Sequence, residues 1–276
     1  MDRKAVARET VGIMERGYYE TEGCRCSIGE LQERSMQGSF LMTPDQGEAL
    51  LRECEASVMD SAGDRQSAVV ETWNCSTVDA LLRLAAEKKE GIGILNFASA
   101  KNPGGGFLNG AMAQEESIAA SSCLYKTLLL HEEYYRRNRA CGTMMYTNHA
   151  IYSPEVVFFR DGKFRLLQEP VTASVLTLPA VNMGQVMLRG ESVEQAEQVM
   201  KRRMKLSLAI FARQKNKHLI LGAYGCGVFR NDPKKIAKWW QELLTDSFAD
   251  VFETIVFAVL DNSSSQACIK AFQEIF

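Results

Sequence analysis

Along the first sixty or so residues the polar and apolar positions recur at helical spacing. Val6, Thr10, Ile13 and Gly17 fall on one face, which predicts a short amphipathic helix ended by glycine. Thr43-Pro44-Asp45-Gln46 has the hydroxyl, first-turn proline and reaching amide of a capping box, so a second helix is predicted to about Met59. Cys24–Phe40 carries neither period and reads as irregular. Ser61–Gln66 is polar, includes Gly63 and marks a boundary, dividing the chain into a helical extension, 1–66, packed on a core domain, 67–276.

From Ser67 the rhythm alternates. Strands are predicted at Ala68–Trp73, Ile92–Phe97, Val156–Phe159, Val171–Leu178, His218–Gly222 and Thr254–Leu260. Helices are predicted from Ser76/Thr77 to Lys89, from near Gln114, from the capping box Ser192-Val193-Glu194-Gln195, over Pro233–Leu244 and over Ser264–Phe276. Alternation of this kind predicts an α/β fold: a three-layer arrangement with a largely parallel or mixed sheet and helices on both faces. Ligands of such sheets bind beyond the carboxyl ends of the strands.

Composition narrows this without deciding it. The chain has 276 residues, 46% hydrophobic and 24% charged, and no apolar run long enough to span a membrane. Met1-Asp2-Arg3-Lys4 opens a charged amphipathic stretch rather than a signal peptide, which together with the scattered cysteines predicts a cytoplasmic protein. Cys24 and Cys26 lack the partners of a zinc site, and Cys123 and Cys268 sit in apolar stretches and read as core. No metal is expected. A net charge of −2 and pI near 6.0 argue against a broad basic surface for nucleic acid. Phosphates of an anionic substrate would have to be met by backbone N–H groups and helix N-termini.

Two loops carry chemistry. The first runs from Asn96 through Ser99, Asn102 and Gly104-Gly105-Gly106 to Gln114-Glu115-Glu116. Three glycines after a strand allow a ligand close to the backbone, and paired glutamates at a helix start can hold a proton near neutral pH, as a glycosidic general acid must. The second is Gly222–Pro233, with Gly225, Cys226, Gly227, Val228 and Phe229 before the Asp232-Pro233 helix start. Arg230 stands at the last glycine position of G-x-G-x-x-G, which disfavours a dinucleotide fingerprint. A nucleophilic role for Cys226 has no arguable histidine partner.

Three glycines, a spacer of seven residues (Phe107–Ala113) and Gln-Glu-Glu resemble the signature of the macrodomain-type poly(ADP-ribose) glycohydrolases. The likeness extends to the bacterial subgroup through Asn96–Gly106, Tyr152-Ser153-Pro154 and Gly222–Pro233. It implies a macrodomain-like core plus the N-terminal helical extension, and hydrolysis of ribose–ribose bonds to release ADP-ribose. Glu116 would be the acid/base and Glu115 would hold ribose hydroxyls, with Gln114 supporting the loop. Gly104–Gly106 and Gly225–Phe229 would clasp the pyrophosphate, while Asn96, Ser99 and Asn102 would face or shape the distal ribose site. Glu71 and Asn74 are candidates near adenine. The resemblance implies no cofactor, poly(ADP-ribose) or ADP-ribosylated protein as substrate, and a monomer. Two alternatives stay open: a macrodomain that binds ADP-ribose without cutting it, and a hydrolase of single ADP-ribosyl units on protein or nucleic acid.

Overall fold

The computed structural model describes residues 2–58 and 68–276. The boundary read at Ser61–Gln66 lies outside the described residues, as do Met59, the expected helix end, and Ser67, where the alternation begins.

The N-terminal segment opens with α1 (Arg3–Arg16), capped by the Asp2 carboxylate and stopped by Gly17 at φ 73°. Its buried face is Val6, Ala7, Thr10, Ile13 and Met14. Next come β1 (Tyr18–Thr21), β2 (Cys24–Ser27), α2 (Gly29–Gly38), β3 (Phe40–Met42) and α3 (Pro44–Val58). Cys24–Phe40 is therefore not irregular, and its signals were hidden for local reasons. The β1–β2 hairpin turns on two residues, Glu22 and Gly23, both at positive φ, and each strand spans four residues. α2 buries only Gln32 and Ser35, so no apolar period announces it. At Thr43 the capping box forms, with Thr43 N–H donating to Gln46 Oε1 at 2.9 Å and Gln46 N–H to Thr43 Oγ1 at 3.4 Å.

The remaining elements are β4 (Val69–Trp73), α4 (Thr77–Ala86), β5 (Ile92–Phe97), α5 (Gln114–Ser121), α6 (Leu124–Leu129), α7 (Glu132–Ala140), β6 (Ala150–Arg160), β7 (Leu166–Leu178), α8 (Met183–Leu188), α9 (Val193–Arg213), β8 (His218–Leu221), α10 (Pro233–Thr245), β9 (Thr254–Ala258) and α11 (Ala267–Gln273). A seven-stranded sheet runs in the order β3-β6-β7-β5-β8-β9-β4, parallel from β7 to β4 and antiparallel across β3, β6 and β7. The α4 helix ends at Ala86, earlier than the expected Lys89, and the chain turns away at Lys88, which takes φ 58°. β6 and β7 run longer than the sequence suggests because they pair with each other from Ile151–Thr177 to Arg160–Leu166.

Alternation along β5 sends Leu95 to one face and Ile94 to the other. Leu95 joins Met200, Met204 and Phe211 of α9 and Trp240 of α10, while Ile94 joins Leu81 of α4, Ile118 of α5 and Leu128 of α6. Helices thus cover both faces, giving three layers. None of the described helices is long and apolar enough to cross a membrane.

Candidate active site

β5 is buried up to its last residue, and the chain leaves it at the carboxyl edge of the sheet into the glycine loop. Ser99 Oγ accepts from Lys101 N–H at 3.3 Å and Asn102 N–H at 3.1 Å, and Gly105 N–H donates to Asn102 O at 3.0 Å. Gly104 and Gly105 take φ 65° and 60°, turning the loop back over the start of α5. A Cβ at Gly105 would collide with Glu116 Oε1 and force that carboxylate to shift.

Ala113, at the α5 N-cap, offers no capping side chain. Instead, the three residues after it tie the helix to the loop. Gln114 lies along the end of β5, its Oε1 accepting from Phe97 N–H and its Nε2 donating to Leu95 O, both at 2.8 Å. Glu115 is buried, with Oε2 accepting from Ser99 N–H at 2.6 Å and Oε1 from Asn96 Nδ2 at 3.3 Å. Burial pushes its carboxyl up to about 8; the Ser99, Asn96 and Gly104 donors pull it down and the neighbouring Glu116 pushes it further up. Glu116 is half-buried and its Oε1 accepts from Gly106 N–H at 3.0 Å. Beside it is a small hollow whose walls include Arg3 and Val6 of α1 and Met112.

The second loop follows β8, the parallel neighbour of β5. At its base a Cβ on Gly222 would sit 2.6 Å from Ala258 O and 3.1 Å from the Phe97 ring, and the Phe97 and Tyr224 rings lie 5.5 Å apart. Gly225 takes φ 73° and is held by Asn231, whose Nδ2 donates to Gly225 O at 3.0 Å and Val181 O at 2.8 Å. Beyond it the loop opens: Val228 is 84% exposed, and the Phe229 ring stands 6.1 Å from that of Tyr146. Arg230 lies along Gly184 of α8.

Adjacent parallel strands therefore deliver both loops to one edge of the sheet. Asn96, Ser99, Gly104, Gln114 and Glu115 are knitted together beneath Gly105, Gly106 and Glu116. Asn102 is exposed and serves the turn through its backbone. Gly225, Cys226, Gly227, Val228 and Phe229 form the neighbouring wall. Glu71 accepts from the Trp73 indole at 2.7 Å, and Asn74 clasps the Asp261 backbone, linking the ends of β4 and β9.

Several supporting residues escaped the sequence reading. Thr177 accepts from Asn96 Nδ2 at 3.1 Å, and Thr77 from Gln114 Nε2 at 3.2 Å. Arg203 is fully buried on α9 and donates to Asn148 Oδ1, Pro179 O and Met145 O. Asn231, beside the Asp232-Pro233 helix start, could have been suspected as a loop clasp; Thr77 signals only a helix start, and Arg203 and Thr177 gave no local signal. Among the described residues, no three or more His, Cys, Asp or Glu are placed to hold a metal ion. A separate hollow of about 220 Å³, at the amino ends of β4 and β9, has only Gln241 and Thr245 as polar side chains and offers no acid–base group.

The family model for the microbial-type PARG catalytic domain matches residues 7–161, more than half of the chain. Among solved structures, poly(ADP-ribose) glycohydrolase from Thermomonospora curvata is 36% identical, with a TM-score of 0.94 and 99% of each chain covered. The same enzyme bound to the inhibitor ADP-HPD matches with a TM-score of 0.91, also at 36% identity over 99% of each chain. Poly(ADP-ribose) glycohydrolase from Deinococcus radiodurans in complex with ADP-ribose is 41% identical, with a TM-score of 0.81, over 88% of this chain and 96% of its own. No curated protein matches. With its glycine loop folded over paired glutamates at the carboxyl edge of a macrodomain-like sheet, the chain belongs to the microbial-type poly(ADP-ribose) glycohydrolase family.

Proposed function

We propose that this protein hydrolyses the ribose–ribose O-glycosidic bonds of poly(ADP-ribose), releasing ADP-ribose, with Glu116 as general acid and then general base. The observation that carries this is the placement of Glu116: one carboxylate oxygen is fixed by Gly106 N–H, and the group stands half-open beside a buried partner carboxyl. In the free protein Glu115 is the carboxyl that burial keeps protonated. Keeping it neutral spares the site a buried negative charge where an anionic diphosphate must settle. Glu116, half-open beside the glycine loop, would deliver a proton to the departing ribosyl oxygen. Glu116, once ionised, takes a proton from the attacking water as the oxocarbenium-like ribose is captured. Backbone donors of Gly104–Gly106 and Gly225–Phe229 would meet the diphosphate from two sides, in keeping with glycines that let the ligand approach. Asn96 orients Glu115, and Ser99 and Asn102 set the loop's curvature.

The extension 1–66 is read as a buttress for the core domain 67–276: Thr10 Oγ1 donates to Ala120 O at 2.7 Å at the end of α5. The protein is taken to act as a monomer, and eight free cysteines support a reducing compartment such as the cytoplasm. Incubation with poly(ADP-ribose)-modified protein tests the reading. Free ADP-ribose is the expected product; binding of ADP-ribose with no release from polymer would leave a binding module or a hydrolase of a different linkage.

A further inference from the structure

Between α7 and β6 the chain holds an aromatic residue, Tyr146, in the left-handed backbone region at φ 59°. A bulky side chain is disfavoured there, and it persists only where the surroundings over-determine it. Here they do. Met144 N–H donates to both Glu191 carboxylate oxygens at 3.1 Å, and Met144 O accepts from Asn182 N–H at 3.0 Å. The buried Arg203 fork donates to Met145 O at 2.9 Å and to Asn148 Oδ1 at 3.0 and 2.9 Å. Thr147 N–H donates to Asn138 Oδ1 at 2.9 Å. The residues on either side of Tyr146 are thus tied to α7, to the cap of α8 and to α9.

What this strained residue presents is a ring, tilted by 43° to that of Phe229 with the centroids 6.1 Å apart. The second loop is loosely packed just ahead of that contact: Val228 is exposed, and Gly227 has open space on its side-chain side. Phe229 O accepts from Gly184 N–H at 3.0 Å, which fixes the backbone and leaves the ring to be set by what it packs on, Tyr146 and the apolar core. The Tyr146 hydroxyl has no partner among the described residues, so the ring is the part in use. We propose that Tyr146 is a positioning residue for ligand binding, holding the Phe229 ring in place as a wall of the ADP-ribose cleft. This rests on the reading that Phe229 walls in the ligand. Arg203 then acts on the cleft at two removes, through the Tyr146 backbone and the Phe229 ring.

The test measures ADP-ribose affinity by calorimetric titration on the full chain, with amide hydrogen exchange followed across residues 222–230 in the absence of ligand. Tyr146→Ala should weaken binding about fivefold, the scale of one lost aromatic pair, while Tyr146→Phe keeps the ring and should stay within about twofold of wild type. Tyr146→Asn removes the ring but suits the left-handed backbone, and should bind as Tyr146→Ala does. Combined with Phe229→Ala, Tyr146→Ala should add no further loss, because it acts through that ring. Exchange at 226–229 should quicken in Tyr146→Ala and Tyr146→Asn, with β5 and β8 as slow as in wild type. Additive losses in the double variant, or wild-type affinity and exchange in Tyr146→Asn, overturn the proposal. Failure of wild type to bind ADP-ribose would count against the functional reading, while exchange at 226–229 would still decide whether Tyr146 holds the loop.

Discussion

Ser99 N–H points at Glu115 Oε2 from 2.6 Å, joining the exit of β5 to the first turn of α5. The contact makes the glycine loop a closed unit: its backbone is folded around one buried carboxyl. Gln114 docking on β5 and Glu116 accepting from Gly106 add two further ties between the same helix turn and the same loop. Residues consecutive in sequence thus divide the work, with one bracing the strand, one filling the loop and one left beside the opening.

Glu115 gives the fold a pH signature. Its ordinary value is 4.5 and its folded value is about 8, so the native state binds the extra proton between these limits. Its favourable contribution is complete below pH ~4.5 and is lost as pH rises through ~8, at up to ~1.4 kcal/mol per pH unit. Glu115→Gln stays neutral, so its thermal unfolding midpoint should rise relative to wild type across pH 5 to 8. Parallel pH profiles for the two proteins would contradict the buried, proton-holding carboxyl.

Gly105→Ala should damage catalysis more than folding. The new methyl meets Glu116 Oε1 and comes within 3.1 Å of Glu115 Oε2, at a backbone φ of 60° that alanine disfavours. A displacement of about an ångström at a reacting group costs roughly a hundredfold in rate. kcat/KM on polymer should fall by about that factor while circular dichroism stays native.

The parts of this site written in local chemistry were legible. The strand Ile92–Phe97 keeps its expected span, the caps at Thr43, Ser192 and Asp232 form, and α5 starts at Gln114. What stayed hidden depends on tertiary partners. α6 and α8 have six residues each and α7 nine, too short for a secure helical period. β3 is a three-residue strand that exists because β6 offers it an edge. Arg203 interrupts the apolar face of α9 between Met200 and Met204, where an arginine would be expected to turn outward; the carbonyls of Met145 and Pro179 and the Asn148 side chain, all distant in sequence, explain why it is buried.

That arginine is a structural pin beneath the second loop's supports. Burial draws its guanidinium below the ordinary range, and it is retained through hydrogen bonds to Asn148, Pro179 and Met145. Arg203→Met would leave these acceptors unpaired, at ~1–3 kcal/mol for each buried group. Chemical denaturation should show a loss of at least ~3 kcal/mol, and Arg203→Lys, lacking the planar fork, should recover only part of it.

Phe229 is half-buried in the second loop, packed on the core with its ring 6.1 Å from that of Tyr146. If it walls in the ligand, Phe229→Ala should weaken ADP-ribose binding about tenfold, equivalent to ~1.4 kcal/mol. Calorimetric titration against ADP-ribose checks this, and unchanged affinity would remove Phe229 from the binding wall.

The central claim is that Glu116 moves the proton. The most direct measurement is release of free ADP-ribose from poly(ADP-ribose)-modified protein by wild type and by Glu116→Gln, with ADP-ribose affinity measured on both. The account predicts at least ~100-fold slower release by the variant, with affinity kept within a few-fold. Release by Glu116→Gln at the wild-type rate would contradict it.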